Sequence, residues 1–289
     1  MLGKKLIFVL VILCVNCSFS QEKDSTLVAL EKQVTVATND SLKVEALLNL
    51  GIYQLRRDFN KISKYHDQIS RIIEFSPAYD ARSQMGQLLQ QKGVYNRKKS
   101  NYTVALSRYQ ESQRIFLELK DSLNLSTNYH NIGVVFEYQR ERVKAIDNFK
   151  KAIAINKQLH NLKKLADNYN AIADNYFYVE QLDSVQYYFD QAIKNYEFIN
   201  NEEGIHQVLA NQSASLTRRK KHKEALPLQL KNFEYLQTTN KKEALAESHF
   251  NLAHLYNQLK QFDKAMFHVN KAIDIAKNEK IGELLSKSY

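Results

Sequence analysis

The sequence predicts an all-α protein: a right-handed helical-repeat solenoid of about six helix-turn-helix units plus the start of a seventh. Three observations carry this. Glycine (7) and proline (2) are too scarce among 289 residues to build the tight turns of an all-β domain, whereas Leu, Ala, Lys, Gln and Asn abound. Like residues recur at a spacing of 40 along most of the chain. Within each repeat the apolar residues fall at helical intervals. With 44% hydrophobic and 25% charged residues, the chain has the means to bury a sizeable core and lacks the profile of a disordered one.

The first segment, 1–20, is expected to lie outside the fold. Lys4 and Lys5 precede the ten apolar residues Leu6 to Val15, and "SFS" offers small residues for cleavage before Gln21. This reads as a secretory signal peptide, because the apolar run is too short to span a membrane. A lipoprotein anchored through Cys17 is the rival reading, and Asn16 is a poor residue to precede such a cysteine. Both cysteines, Cys14 and Cys17, belong to this segment, so the mature chain is expected to carry neither disulfide nor thiol chemistry. Loss of Lys4 and Lys5 lowers the net charge from +10 to +8. A basic exported protein of this kind favours an acidic partner or an anionic membrane surface, and periplasmic placement argues against nucleic acid.

A helical lead-in, 21–42, precedes the repeats, which run over 43–289 with units near 43–76, 86–119, 126–159, 166–199, 206–239 and 246–279. The register is clearest where "NYHNIGVVFEYQRERVKAIDNFKKAIAI", from Asn128, aligns without a gap on "NYNAIADNYFYVEQLDSVQYYFDQAIKN", from Asn168. A small residue recurs at Gly93, Gly133, Ala173, Ser213 and Ala253, and a second column holds Ala105, Ala145, Val185, Ala225 and Ala265. A third holds Leu89, Tyr129, Tyr169, Leu209, His249 and Tyr289. In the first helix of a unit the apolar residues sit at i, i+3 and i+7, as in Tyr129, Ile132 and Phe136. The small residue marks the place where the second helix passes closely. Polar turns such as "QRER" are expected within units, and loops such as "FINNEEG" between them. An earlier unit, "NLGIYQLRRDFNKISKY", fits with a shifted start, three extra residues around Pro77 restoring the register. The last residues, "GELLSKSY", read as the opening of a seventh first helix, a partial unit at 286–289 with no polar cap, which raises the expectation of a longer gene product, the alternative being a frayed terminal helix that caps the sixth unit.

Tyr129, Ile132, Gly133, Phe136, Ala145 and Phe149 together resemble the W-x2-L-G-x2-Y…A-x3-F signature of the tetratricopeptide repeat, here in a 40-residue rather than a 34-residue unit. The match is weaker where Lys92, Asn96, Gln212 and Gln229 replace apolar residues. The resemblance implies that first helices line a concave groove for a protein or peptide ligand. Its inward stripe would carry His130, Asn131, Val134 and Tyr138, then Asn170, Asp174, Phe177 and Tyr178. Asn211, Ala214 and Arg218 follow, and then Phe250, Asn251, His254 and Asn257. Asn131, Asn211 and Asn251 share one column, and an amide there can pair with both groups of a peptide backbone. The alternative is that these asparagines bond to the neighbouring helix. The chaperone-tail clamp of the family uses groove lysines. The matching positions here are Gln87, Thr127, Asp167, Gln207 and Glu247, so that clamp is not expected.

Basic residues cluster at the turns: Arg56, Arg57, Arg97, Lys98, Arg218, Arg219, Lys220 and Lys221. Stacked units would align them as a basic rim for an anionic bilayer or an acidic partner, or simply as a solvated edge. No phosphate loop, H-E-x-x-H, G-x-S-x-G or mature C-x-x-C occurs, and His249 and His254 are not at metal-pair spacing. The expectation is therefore a non-catalytic, cofactor-free exported binding scaffold. The sensory ectodomain of a membrane-bound signalling protein is the alternative, and a small-molecule receptor a weaker one.

Overall fold

A computed structural model describes residues 25–58, 61–76, 80–179 and 182–279. The signal segment with its cysteines, the insertion at Pro77 and the "GELLSKSY" end lie outside the described residues, and so does the side chain of Arg56. Among the described residues there are thirteen α-helices and no strand. The chain divides at Leu119–Lys120 into two compact units.

The first unit contains α1 (Ser25–Val36), α2 (Asp40–Arg57), α3 (Ile62–Phe75), α4 (Arg82–Lys98) and α5 (Tyr102–Glu118). Helix α1 lies within the predicted lead-in. Its Leu27, Leu30 and Val34 pack on a cluster made by Val44, Leu47, Leu48, Leu50, Tyr65, Ile69 and Leu88. The polar substitutions that weaken the repeat here are accommodated: Lys92 Nζ reaches Ser70 Oγ at 3.1 Å, and Asn96 Nδ2 donates back to the Lys92 carbonyl at 2.8 Å.

The second unit contains α6 (Ser122–Tyr138), α7 (Arg142–Gln158), α8 (Leu162–Tyr178), α9 (Leu182–Phe198), α10 (Glu202–Arg218), α11 (His222–Gln237), α12 (Lys242–Gln258) and α13 (Phe262–Asn278). Its main core joins α7, α8 and α9 through Ile146, Phe149, Leu165, Tyr169, Ile172, Tyr176 and Phe189, with Val208 of α10. The small column does what its residues predict. A Cβ added at Gly133 would come within 2.8 Å of the Phe149 ring, and one at Gly93 within 2.5 Å of Tyr109. The alanine column is buried throughout, from Ala105 to Ala265.

The joints differ from expectation. Six joints share one geometry, a three-residue link whose central residue has a left-handed backbone: Ser100, Arg140, His160, Asn200, Lys220 and Lys260, with φ between 50° and 63°, whereas the link between α11 and α12, 238–241, is one residue longer and has none. At each of the six, the next residue's N–H closes a wide turn onto the helix just ended, as in Glu141 to the Phe136 carbonyl at 2.9 Å and Asn201 to that of Tyr196 at 2.9 Å. These are Schellman closures, usually built on glycine. Here non-glycine residues take the left-handed conformation at a cost of about 1 kcal/mol each. In "FINNEEG", only Ile199, Asn200 and Asn201 form the link. Phe198 ends α9, and Glu202 already begins α10. Three of the links between repeats end on a capping side chain, Asp121, Asn161 and Asn201 each accepting from the backbone N–H three residues on, whereas Lys241 before α12 makes no such cap.

Candidate functional site

The strict helix period decides which side chains meet in the second unit. Because α6, α8 and α10 begin 40 residues apart, their equivalent faces come side by side and line a shared groove with a cavity of about 460 Å³. The predicted stripe residues His130, Val134 and Tyr138 of α6, Asn170 and Asp174 of α8, and Asn211, Ala214 and Arg218 of α10 all line it. Asn211 Nδ2 donates to Asn170 Oδ1 at 3.1 Å, and Gln207 Nε2 donates to Asn211 Oδ1 at 3.3 Å. One amide bond thus joins neighbouring first helices, so Asn211 bonds to the adjacent helix as the alternative reading of its column has it, while Gln207 and Asn211 share α10. Each uses part of its capacity there, since an amide group has two donors and two acceptor lone pairs.

Arg218, placed by sequence at the basic rim as well as on the stripe, reaches into the groove. Its guanidinium holds Asp174 Oδ1 at 2.6 Å and lies over the rings of Phe177 and Tyr178 at 5.8 and 5.6 Å. Tyr178 is also faced by Arg142 at 4.1 Å, whose Nη1 donates to Asn175 Oδ1. Of the other basic residues near α10, Arg219 is half-buried, Lys220 is the exposed turn residue, and Lys221 pairs with Glu224 at 3.0 Å. Arg97 and Lys98 end α4, in the first unit.

Not every predicted residue converges. Asn131 is half-buried on α6, outside the lining of this cavity. Asn251, Phe250 and His254 line a separate depression of about 570 Å³ between α12 and α13, with Phe262, Met266 and Val269. His249 is packed as its column predicted: it is buried, with Nδ1 at 2.8 Å from Nδ1 of His268, and Phe233 set edge-on against both rings. Burial, the neighbouring His268 and Lys271 lower the His249 pKa to about 4.

Several lining residues escaped the sequence reading. In the sequence Asp167 and Gln207 stand out only as replacements for clamp lysines, yet both line the groove. Tyr196 comes from a second helix, α9, and no first-helix stripe predicts it. Its hydroxyl donates to Asp167 Oδ1, and burial with this bond pushes the phenol pKa up. Glu137 is tied to Asn175 Nδ2 at 3.2 Å. Lys164 reaches across from α8 to the Thr127 hydroxyl of α6, and burial lowers its pKa. Among the described residues no group of His, Cys, Asp and Glu is arranged to hold a metal ion, and no helix is long and apolar enough to cross a membrane.

Solved structures resemble this chain at the level of fold. A Rap protein complexed with competence and sporulation factor matches with a TM-score of 0.69 at 14% identity, over 91% of this chain and 78% of that one. NprR in complex with its cognate peptide NprX matches at 0.59 and 15%, over 99% and 84%. BtubC from P. vanneervenii matches at 0.62 and 18%, over 78% and 92%. At such identities the likeness is one of architecture alone. No curated protein sequence matches the chain. The family model described as "Tetratricopeptide repeat" matches residues 84–158 and 205–278, more than half of the sequence. Helix pairs, small-residue columns and family model agree, and the chain belongs to the tetratricopeptide-repeat family.

Proposed function

We propose that this protein is an exported, non-catalytic scaffold that binds an extended peptide segment of a partner protein in the groove of α6, α8 and α10. The observation that carries the reading is the set of linked amides Gln207, Asn211 and Asn170 lining an open groove beside aromatic and charged groups. Side-chain amides can pair with peptide backbone whatever its sequence, while Tyr138 and the Asp174–Arg218 pair discriminate among side chains. The Rap and NprR structures in complex with their ligands support a peptide as the ligand class. Cleavage before Gln21 and periplasmic residence belong to the same proposal, as does contact of the turn residues Arg219 and Lys220 with an acidic partner or anionic membrane surface.

The test is selection from a displayed peptide library, followed by titration of the winning peptide against variants. Asn170→Ala and Asn211→Ala should each weaken binding about fivefold, the equivalent of about 1 kcal/mol per lost pairing, with helicity intact. Asn251→Ala, outside this cavity, should leave binding unchanged. Selection of no peptide, or of peptides indifferent to Asn170 and Asn211, refutes the groove. N-terminal mass analysis of the exported protein should begin at Gln21, and binding through the turns should fall steeply with salt.

A further inference from the structure

In the second unit, second helices turn one apolar stripe towards the first helix of the following repeat. On α7 the stripe is Ile146, Phe149 and Ile153, at most 8% exposed because Leu165, Tyr169, Ile172 and Tyr176 of α8 pack on it. Arg142, one turn earlier, also meets α8: its guanidinium faces the Tyr178 ring and bonds to Asn175. On α11 the equivalent Leu226 and Phe233 pack against the cluster of Leu252 and Tyr256 of α12, and His222 lies edge-on to His254.

The same stripe on α13, the last helix among the described residues, reads Phe262, Met266, Val269 and Ile273. Its spacing and apolar character match those of the covered stripes, yet Phe262 is 63% exposed and Met266 61%. Phe262, Met266 and Val269 border, with Phe250 and His254 of α12, the depression of about 570 Å³. Large apolar side chains left in water at helical spacing mark a face that another element covers.

The interior repeats give the form of that element. The face of α6 and α7 receives α8, a helix with Leu165, Tyr169, Ile172 and Tyr176 at i, i+4, i+7 and i+11, and α12 with α13 repeats that face. Lys164, just before Leu165, reaches the Thr127 hydroxyl of α6. In α12 the position of Thr127 is held by Glu247, which is exposed, so a basic residue arriving there meets a carboxylate instead of a hydroxyl. A second copy of this chain has its helices of this pattern already packed, as Leu165 and Tyr169 are buried.

We infer that the open face of α12 and α13 docks an amphipathic helix of a partner protein, with large apolar residues at i, i+4, i+7 and i+11 and a lysine or arginine at i−1. The apolar stripe of that helix seats on Phe262, Met266, Val269 and Ile273 as α8 seats on α7, and its basic residue faces Glu247. Anchors at helical spacing are the usual means by which a groove holds a helix. The inference does not rest on the peptide groove of α6, α8 and α10.

The probe is an acetylated and amidated peptide with the sequence of α8, Leu162–Tyr178, carrying a fluorophore and titrated with the full chain while anisotropy is read. It should bind saturably, and a scrambled peptide of the same composition should not. A free peptide of this length is a marginal helix, so binding should also raise its helicity. Met266→Asp, at an exposed position, should weaken binding about tenfold or more. Should that variant lose its helicity, Phe262→Ser on the same exposed stripe makes the comparison. Lys164→Glu in the peptide should weaken binding about two- to fivefold, and Glu247→Lys in the protein should recover that loss. No saturable binding, equal binding of the scrambled peptide, or indifference to Met266→Asp overturns the docking face. A peptide admitted only when the chain ends at Glu279 gives the face to residues 280–289, and a dimer abolished by Met266→Asp gives it to a second copy; either result overturns the partner helix. None of these outcomes touches a library-selected peptide that depends on Asn170 and Asn211.

Discussion

The contact between Gly133 and Phe149 tests whether the small-residue and aromatic columns are mutually fitted. A methyl group at position 133 would lie 2.8 Å from Phe149 Cε1, 2.9 Å from Cδ1 and 3.1 Å from Cζ. Those separations are below ordinary carbon contact, and Phe149 is fully buried, so the ring has no solvent to retreat into. Overpacking of this kind costs about 1–3 kcal/mol. Replacing a helical glycine by alanine returns about 1 kcal/mol of helix propensity. Gly133→Ala should therefore destabilise the protein by about 0–2 kcal/mol. Phe149→Leu removes buried ring atoms and should cost about 1–2 kcal/mol. In the double variant the new methyl occupies space the ring has left. The two effects should then fall short of their sum by about 1–2 kcal/mol, the size of coupling seen between touching residues. Position 173 supplies a natural control, since Ala173 already stands in the same column and is buried with Phe189. Urea unfolding followed by helical circular dichroism measures all four proteins. Additivity within about 0.5 kcal/mol would show that the ring and the glycine do not constrain each other, and the reasoning from the repeat columns would fail.

Other consequences are open to measurement. The Asp174–Arg218 pair is partly exposed, with side chains 24% and 41% accessible, so a double-mutant cycle with Asp174→Asn and Arg218→Met should give a coupling of about 0.5–1 kcal/mol; a zero value would mean the pair does not form in solution. His249 has its pKa lowered from 6.5 to about 4 by burial and by His268 and Lys271, so the unfolded chain binds the proton first. Stability should be fully present above pH 6.5 and lost as pH falls from there towards about 4, and His249→Gln should flatten that limb of a melting-temperature profile. His66, whose pKa is lowered to about 4 chiefly by burial and then by Lys92, adds a slope of the same sign in the first unit, removable by His66→Gln without affecting the His249 contribution. At the joints, Asn200→Gly should be neutral or stabilising, because glycine meets no steric penalty at a φ of 52°; a loss above about 1 kcal/mol would mean the asparagine side chain carries the turn.

How far the sequence reaches depends on distance along the chain. The all-α class, the 40-residue period and the burial of columns such as Ala105 to Ala265 follow from residue type and local spacing, because a helix repeats its faces every few residues and a solenoid buries the same face each time. The stripe His130, Asn170, Asp174 and Asn211 was legible for the same reason. The joints were not: a left-handed turn usually announces itself by glycine, and here Ser100, Arg140, His160 and Lys220 hold that conformation because the helices on either side close it with backbone bonds. Nor could the one-dimensional pattern separate Asn211, bonded to Asn170, from Asn251, which lines a different depression. It also could not send Arg218 inward to Asp174, or bring Tyr196 from a second helix onto Asp167. These depend on how long side chains from different helices share one small volume, and that is settled only when the helices have packed.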